Sequence, residues 1–174
     1  MSRFVTFKVF EFEELSDEAQ KRAIEQFRYM NVDYGWWDSV YDMAEEIGFT
    51  ITSFDIDYRS IIKGELNLSI LDSFKLIRKN WSRNSELYKI SKDYVRDFIK
   101  AYREMKANDD ELTVEDFIDE DEARDLECEY KKAILEEFIS ILRKEYDYQT
   151  SDEAIGIFLI DNEYEFYQNG KKYT

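Results

Sequence analysis

Apolar and polar positions change period several times along this chain, and the changes divide it into elements. Phe4, Thr6, Lys8 and Phe10 alternate with Val5, Phe7, Val9 and Glu11. A period of two, rich in β-branched and aromatic residues, predicts a strand over Phe4–Phe10. From Ser16 the period lengthens. Ala19, Ala23, Ile24, Phe27 and Met30 share one helical face, with Ser16 at the N-cap. Asp17 and Glu18 fill the first turn, where negative charge suits the helix dipole. The segment Asn31–Gly35 breaks this pattern. A second helix is predicted from Trp36 to Ile47, with Trp37, Val40, Tyr41, Ala44 and Ile47 on its apolar stripe and Gly48 at its C-terminal end.

Alternation returns over Thr50–Tyr58, anchored by Ile51, Phe54 and Ile56, and over Ile61–Ile70, through Ile62, Leu66, Leu68 and Ile70. The short Arg59-Ser60 link predicts an antiparallel hairpin. Helical spacing then holds over Asp72–Trp81, Lys92–Lys106, Asp119–Tyr146 and Ser151–Asn162. A capping box from Thr150 to Glu153 is expected to open the last of these. Asn169-Gly170, within Tyr164–Tyr173, predicts a type I′ hairpin. This order of elements predicts an α+β fold. Phe4–Phe10, Thr50–Tyr58 and Ile61–Ile70 are expected to form one small, largely antiparallel sheet, with helices packed on one face and a long helix in the C-terminal half. Phe7, Phe54, Ile56 and Leu66 are the expected core of that sheet. The length of 174 residues predicts a single domain over 1–174, with 72–147 a mostly helical portion.

Composition narrows the chemistry. Apolar residues at 44% supply a core, and the absence of Pro suits long helices. The absence of His removes Ser-His-Asp triads, Cys-His pairs and His-ligated zinc. The single Cys, Cys128, allows no internal disulfide and points to a reducing cytoplasm. It lies in a run of acids, which disfavours a thiolate. The N-terminal alternation does not have the form of a signal peptide, and no apolar run approaches a membrane span. Five glycines, at 35, 48, 64, 156 and 170, form no phosphate-binding loop. Asp55 and Asp57, two apart on a predicted strand, would point to one face and could hold Mg²⁺ in a phosphate-chemistry enzyme; plain alternation opposite Phe54 and Ile56 explains them as well. Asp119-Glu120-Asp121 resembles the start of a calcium loop, but Arg124 stands where that loop needs Gly and Tyr130 where it needs Glu. No catalytic residue, metal site or cofactor is therefore expected.

Charge changes the picture further. The net charge is −16, yet Ser60–Lys106 carries 11 basic and 6 acidic residues, leaving 13 basic and 34 acidic in the remainder. The acids concentrate in Asp109, Asp110, Glu111, Glu115, Asp116, Asp119, Glu120, Asp121 and Glu122, and continue to Glu129 with Arg124 as the only cation. Like charges this close repel one another. They are either a solvated face or a surface for a basic partner. If the segment is helical, Asp109, Asp116, Glu120 and Glu127 form a stripe that approximates the charge density of duplex DNA, about one charge per 1.7 Å. Trp36 and Trp37, near Tyr34 and Tyr41, are a second candidate contact, with at least one of the pair expected in the core. The basic stretch Lys75, Arg78, Lys79 and Arg83, with Trp81 and Tyr88, could meet nucleic acid, but the net charge opposes that.

The block Glu14-Leu15-Ser16-Asp17-Glu18-Ala19-Gln20-Lys21-Arg22-Ala23 resembles the opening of small acidic accessory proteins common in phage and prophage genomes. So do Trp36-Trp37-Asp38, Tyr41-Asp42-x-Ala44 and Phe54-Asp55-Ile56-Asp57. The ending Thr150–Ile155, followed by Asn162–Phe166, is similar too, while Ile61–Asp125 matches less clearly. These proteins, sometimes labelled antitoxin-like, bring no catalytic motif. The resemblance implies a phage-encoded binding protein in the cytoplasm of a host bacterium. It would inhibit a nucleic-acid-targeting defence, of the anti-CRISPR or anti-restriction type, by protein–protein contact or nucleic-acid mimicry. The expected partner is a host protein with a basic nucleic-acid-binding surface, not nucleic acid itself and not a membrane; a homodimer is compatible with this. An antitoxin that masks a basic toxin is the alternative, beside the Asp55/Asp57 enzyme.

Overall fold

The computed structural model describes residue 6, residues 8–57 and residues 60–173. In chain order its elements are β1 (Phe10–Glu11), α1 (Asp17–Phe27), α2 (Asp38–Glu45), β2 (Phe49–Asp55), β3 (Ile61–Leu66), α3 (Ile70–Asn80), α4 (Glu86–Lys106), α5 (Val114–Ile118), α6 (Asp121–Gln149), α7 (Asp152–Asp161) and β4 (Glu165–Phe166). The fold is α+β, 61% helical with two small antiparallel sheets. The chain divides into two compact units. One comprises the chain up to Trp37 together with the stretch from Lys144 onward, and the other comprises Asp38–Arg143.

The first unit is built on α1 and α7. Ser16 caps α1 by accepting the Ala19 N–H at 3.4 Å. Of the face that the helical spacing singled out, Ala19, Ala23, Ile24 and Phe27 are buried against Phe12, Leu15, Ile155, Leu159 and Phe166, whereas Met30 lies beyond the end of α1 and is exposed. Part of the predicted strand Phe4–Phe10, Phe7 included, lies outside the described residues. Its described end pairs Phe10 with Phe166 and Glu11 with Glu165, in a sheet separate from β2–β3. The expectation of one shared sheet is thereby corrected. Alternation marks a segment as a strand without saying which edge it meets, and here the apolar partner is Phe166, fully buried and edge-on to Phe12 and Phe27.

Two turn assignments also change. Ser151, not Thr150, caps α7, accepting the Ala154 N–H at 3.2 Å, while the Thr150 hydroxyl donates to Tyr146 O at 2.9 Å and finishes the preceding helix. Ser151→Ala should cost about 1 kcal/mol, and Thr150→Ala should leave the α7 cap intact; urea denaturation of both variants tests this. At the C-terminus, Gly170 N–H closes a turn onto Tyr167 O at 2.9 Å. Asn169 is not left-handed whereas Gly170 is, at φ +81°. A type I′ turn needs positive φ at both central residues, so the glycine here follows the turn.

In the second unit, β2 and β3 pair with one irregularity. Ile51 faces Gly64 and Ser53 faces Lys63, which leaves Thr52 as an extra residue. Such a bulge flips side-chain parity, which is how Ile51 and Phe54, three apart, reach the same face. That face carries Phe49, Ile51, Phe54, Ile62 and Leu66, and its buried end is Phe49 and Ile51. Phe54, Ile56 and Leu66, expected as core, are only half-buried. Gly64 lets the hairpin close down on α6, since a Cβ there would stand 3.0 Å from Leu135 Cδ2 and 2.6 Å from Thr50 O.

The centre of this unit is polar as well as apolar. The Tyr130 hydroxyl lies 2.9 Å from Ser73 Oγ and 3.3 Å from Ser91 Oγ, all three residues buried. Ser73 donates to Ile47 O at 2.8 Å and Ser91 to Leu87 O at 2.7 Å. Each serine thus spends its one hydrogen on a backbone carbonyl, and Tyr130 donates to Ser73. The network joins α3, α4 and α6 with each hydroxyl hydrogen placed.

Candidate interaction surface

The acid-rich segment begins where α4 ends. Asp109 accepts the Glu111 N–H at 3.1 Å, folding the chain back. Lys106 Nζ donates to Leu112 O at 2.7 Å, and Tyr102 donates to the same carbonyl at 3.4 Å. Leu112 is buried. Thr113 then caps α5 with a reciprocal box. Its hydroxyl accepts the Asp116 N–H at 3.1 Å, and the Asp116 carboxylate accepts the Thr113 N–H at 3.1 Å and the Thr113 hydroxyl at 2.6 Å. Those donors hold the Asp116 carboxyl below its ordinary pKa, the hydroxyl first and the backbone N–H second. Phe117 anchors the short helix, fully buried with its ring 5.1 Å from Phe98 and 5.7 Å from Tyr102.

All nine predicted contact acids, Asp109, Asp110, Glu111, Glu115, Asp116, Asp119, Glu120, Asp121 and Glu122, are exposed on this framework. They do not form a stripe on one helix. The segment is a turn, the five-residue α5 and the first turn of α6, so the proposed alignment of Asp109, Asp116, Glu120 and Glu127 is corrected. The two apolar anchors, Leu112 and Phe117, fix separate pieces where like-charge repulsion opposes one continuous helix. The long helix starts at Asp121 rather than Asp119. Arg124 approaches Asp119 and Asp121 only at 3.8 and 3.9 Å with exposed side chains, a weak neutralisation.

Trp36 and Trp37 belong to the other unit. They precede α2 in a turn instead of opening the helix, which starts at Asp38. Both are half-buried, their rings edge-to-face at 5.8 Å, with Trp36 also 5.4 Å from Tyr146. Among the described residues the exposed rings of that unit are instead Tyr29, Tyr34, Tyr148 and Tyr173.

The Asp55/Asp57 pair is not brought onto one strand face. β2 ends at Asp55, whose carboxylate accepts the Asp57 N–H at 2.9 Å and turns the chain. Among the described residues no group of three or more His, Cys, Asp or Glu side chains could hold a metal ion. Cys128 is exposed. In the basic stretch, Lys75 pairs with Asp72 at 2.7 Å and Tyr88 packs on Phe74. A second basic run escaped the sequence reading: Lys92, Arg96, Lys100 and Arg103 recur every three or four residues along α4. Charge periodicity was its signal. Among the described residues no helix is long and apolar enough to cross a membrane. Compared with protein-family models, with curated proteins and with solved structures, the chain gives no match.

Proposed function

We propose that this is a non-catalytic binding protein whose acidic segment, Asp109–Glu122 and onward to Glu129, docks on the basic nucleic-acid-binding surface of a protein partner and keeps nucleic acid away from it. The observation that carries the reading is the pairing of full exposure with fixed support. Nine carboxylates stand in solvent on a segment pinned by Leu112, Phe117 and the Thr113–Asp116 box. Charge held in place is already ordered for binding, unlike charge on a mobile tail. In line with the resemblance to small acidic phage proteins, the partner is a bacterial defence protein that acts on nucleic acid. Trp36 and Trp37 are the second contact in this reading.

The test begins with affinity capture from a bacterial host lysate. Charge reversal at Glu115, Glu120 and Asp121 should then weaken binding to the captured protein at least tenfold (roughly 1.4 kcal/mol). The fold should be retained, because Asp116, which closes the cap, is left in place. Association should slow as salt rises, since exposed charges are screened over about 8 Å at physiological ionic strength. Nucleic acid should compete for the partner. Unchanged affinity after these reversals would reduce the segment to a solvated surface.

A further inference from the structure

We infer that the unit Asp38–Arg143 also carries the basic counterpart of its own acidic segment, and that a second copy of this chain docks its acidic turn Asp109–Glu111 there. On the outer side of α4 lies a groove of about 700 Å³. Its floor includes Phe74 from α3 and the exposed Ile99, and its rim carries Lys92, Arg96, Lys100 and Arg103. Among the described residues Glu104 is the single carboxylate that lines it, 3.8 Å from Lys100. Arg96 is held by Asp93 at 2.8 Å and Asp97 at 3.1 Å. Lys92 and Arg103 make no ion pair among the described residues and are free to take an incoming carboxylate.

Charge complementarity selects the occupant. Asp109, Asp110 and Glu111 are exposed, and their turn is held in shape by Lys106 and by the Asp109 carboxylate. The groove and the turn follow one another along the chain, with Arg103 six residues before Asp109. In a two-fold pair, each copy would supply both an acidic turn and a cationic groove, so the complementary contact is made twice. Nucleic acid fits less well. It is anionic throughout and has no cationic face to answer this chain's net charge of −16, and phosphates gain nothing from an apolar floor. Between copies, screening within about 8 Å confines the net repulsion and leaves the local pairs.

Sedimentation of the purified chain tests this without any other partner. At about 150 mM salt, the wild type should pass from monomer to dimer over roughly 1–300 µM. Lys92→Glu with Arg103→Glu should be monomeric over that range, and so should Asp110→Lys with Glu111→Lys. Mixing the two variants should restore the dimer, because each then offers the charge the other lacks. That recovery also shows that both variants are folded. A wild type that stays monomeric would overturn the inference and leave the groove to an acidic segment of a different protein. A dimer that survives either pair of reversals, or a mixture that stays monomeric, would overturn it as well. None of these outcomes depends on the partner proposed above.

Discussion

Phe117→Ala is expected to destabilise the protein by roughly 3–5 kcal/mol, the usual range for emptying a fully buried aromatic site. Its ring is 0% exposed, is the only buried side chain of α5, and meets both Phe98 and Tyr102. A helix of five residues has no stability of its own, so without this anchor the acid-rich segment should open as a piece. Urea denaturation gives the magnitude, and amide hydrogen exchange over residues 108–120 gives the location. A loss below about 1 kcal/mol with unchanged exchange would show that Leu112 and the Thr113 cap hold the segment alone. Phe54→Ala is the useful contrast. That ring is half-buried beside Tyr41, so its removal should fall below that range.

Gly170→Ala should be the most damaging single-methyl change, at about 2–5 kcal/mol. Gly170 sits at φ +81°, and a Cβ there would lie 2.1 Å from Ala19 O. The left-handed conformation alone costs a non-glycine residue about 1–2 kcal/mol. The clash adds strain of the order of 1–3 kcal/mol, because the obstructing atom is helix backbone and cannot rotate aside. The Gln26 side chain, which donates to Gly170 O at 2.8 Å, would be displaced with it. Gly156→Ala should do the opposite. It lies inside α7, the nearest atom to its added Cβ is 3.5 Å away on the Phe12 ring, and alanine is favoured over glycine in a helix by about 1 kcal/mol. Thermal melting of the two variants should therefore move in opposite directions.

The difference between local and distant information explains what the sequence revealed. Helix faces were legible because burial follows a period of 3.6. Ala19, Ala23, Ile24 and Phe27 are buried as that period requires, and the α+β class followed from the order of elements. Strand partners were not legible, since alternation in Phe4–Phe10 carries no sign of Phe166 some 150 residues away. The bulge at Thr52 was written in the chain as a parity conflict between Ile51 and Phe54, yet it reads as an unbroken strand until the register is known. The acid-rich segment shows the same limit. Thr113-x-x-Asp116 is a capping signal that marks a break, but a dense run of Asp and Glu suits the first turn of any helix and hides it. Trp36-Trp37 fits a helical stripe in spacing alone, while the structure uses the pair in the turn before the helix.

The hydroxyl cluster beneath the hairpin also sets how the protein meets alkali. Burial raises the Tyr130 pKa above its ordinary value of 10.0, and the hydroxyl's contacts with Ser73 and Ser91 do not offset it. In the unfolded chain the phenol would lose its proton near the ordinary value. A group whose folded pKa is raised contributes its full stability below the unfolded pKa and loses it as pH climbs toward the folded one. Tyr130 therefore cannot become phenolate in place without leaving a negative charge among Phe49, Tyr94 and two serines. Alkali must open α3, α4 and α6 around it first, and Tyr130 is then among the late rings to give phenolate absorbance, beside Tyr41 and Tyr94, whose pKa values burial also raises.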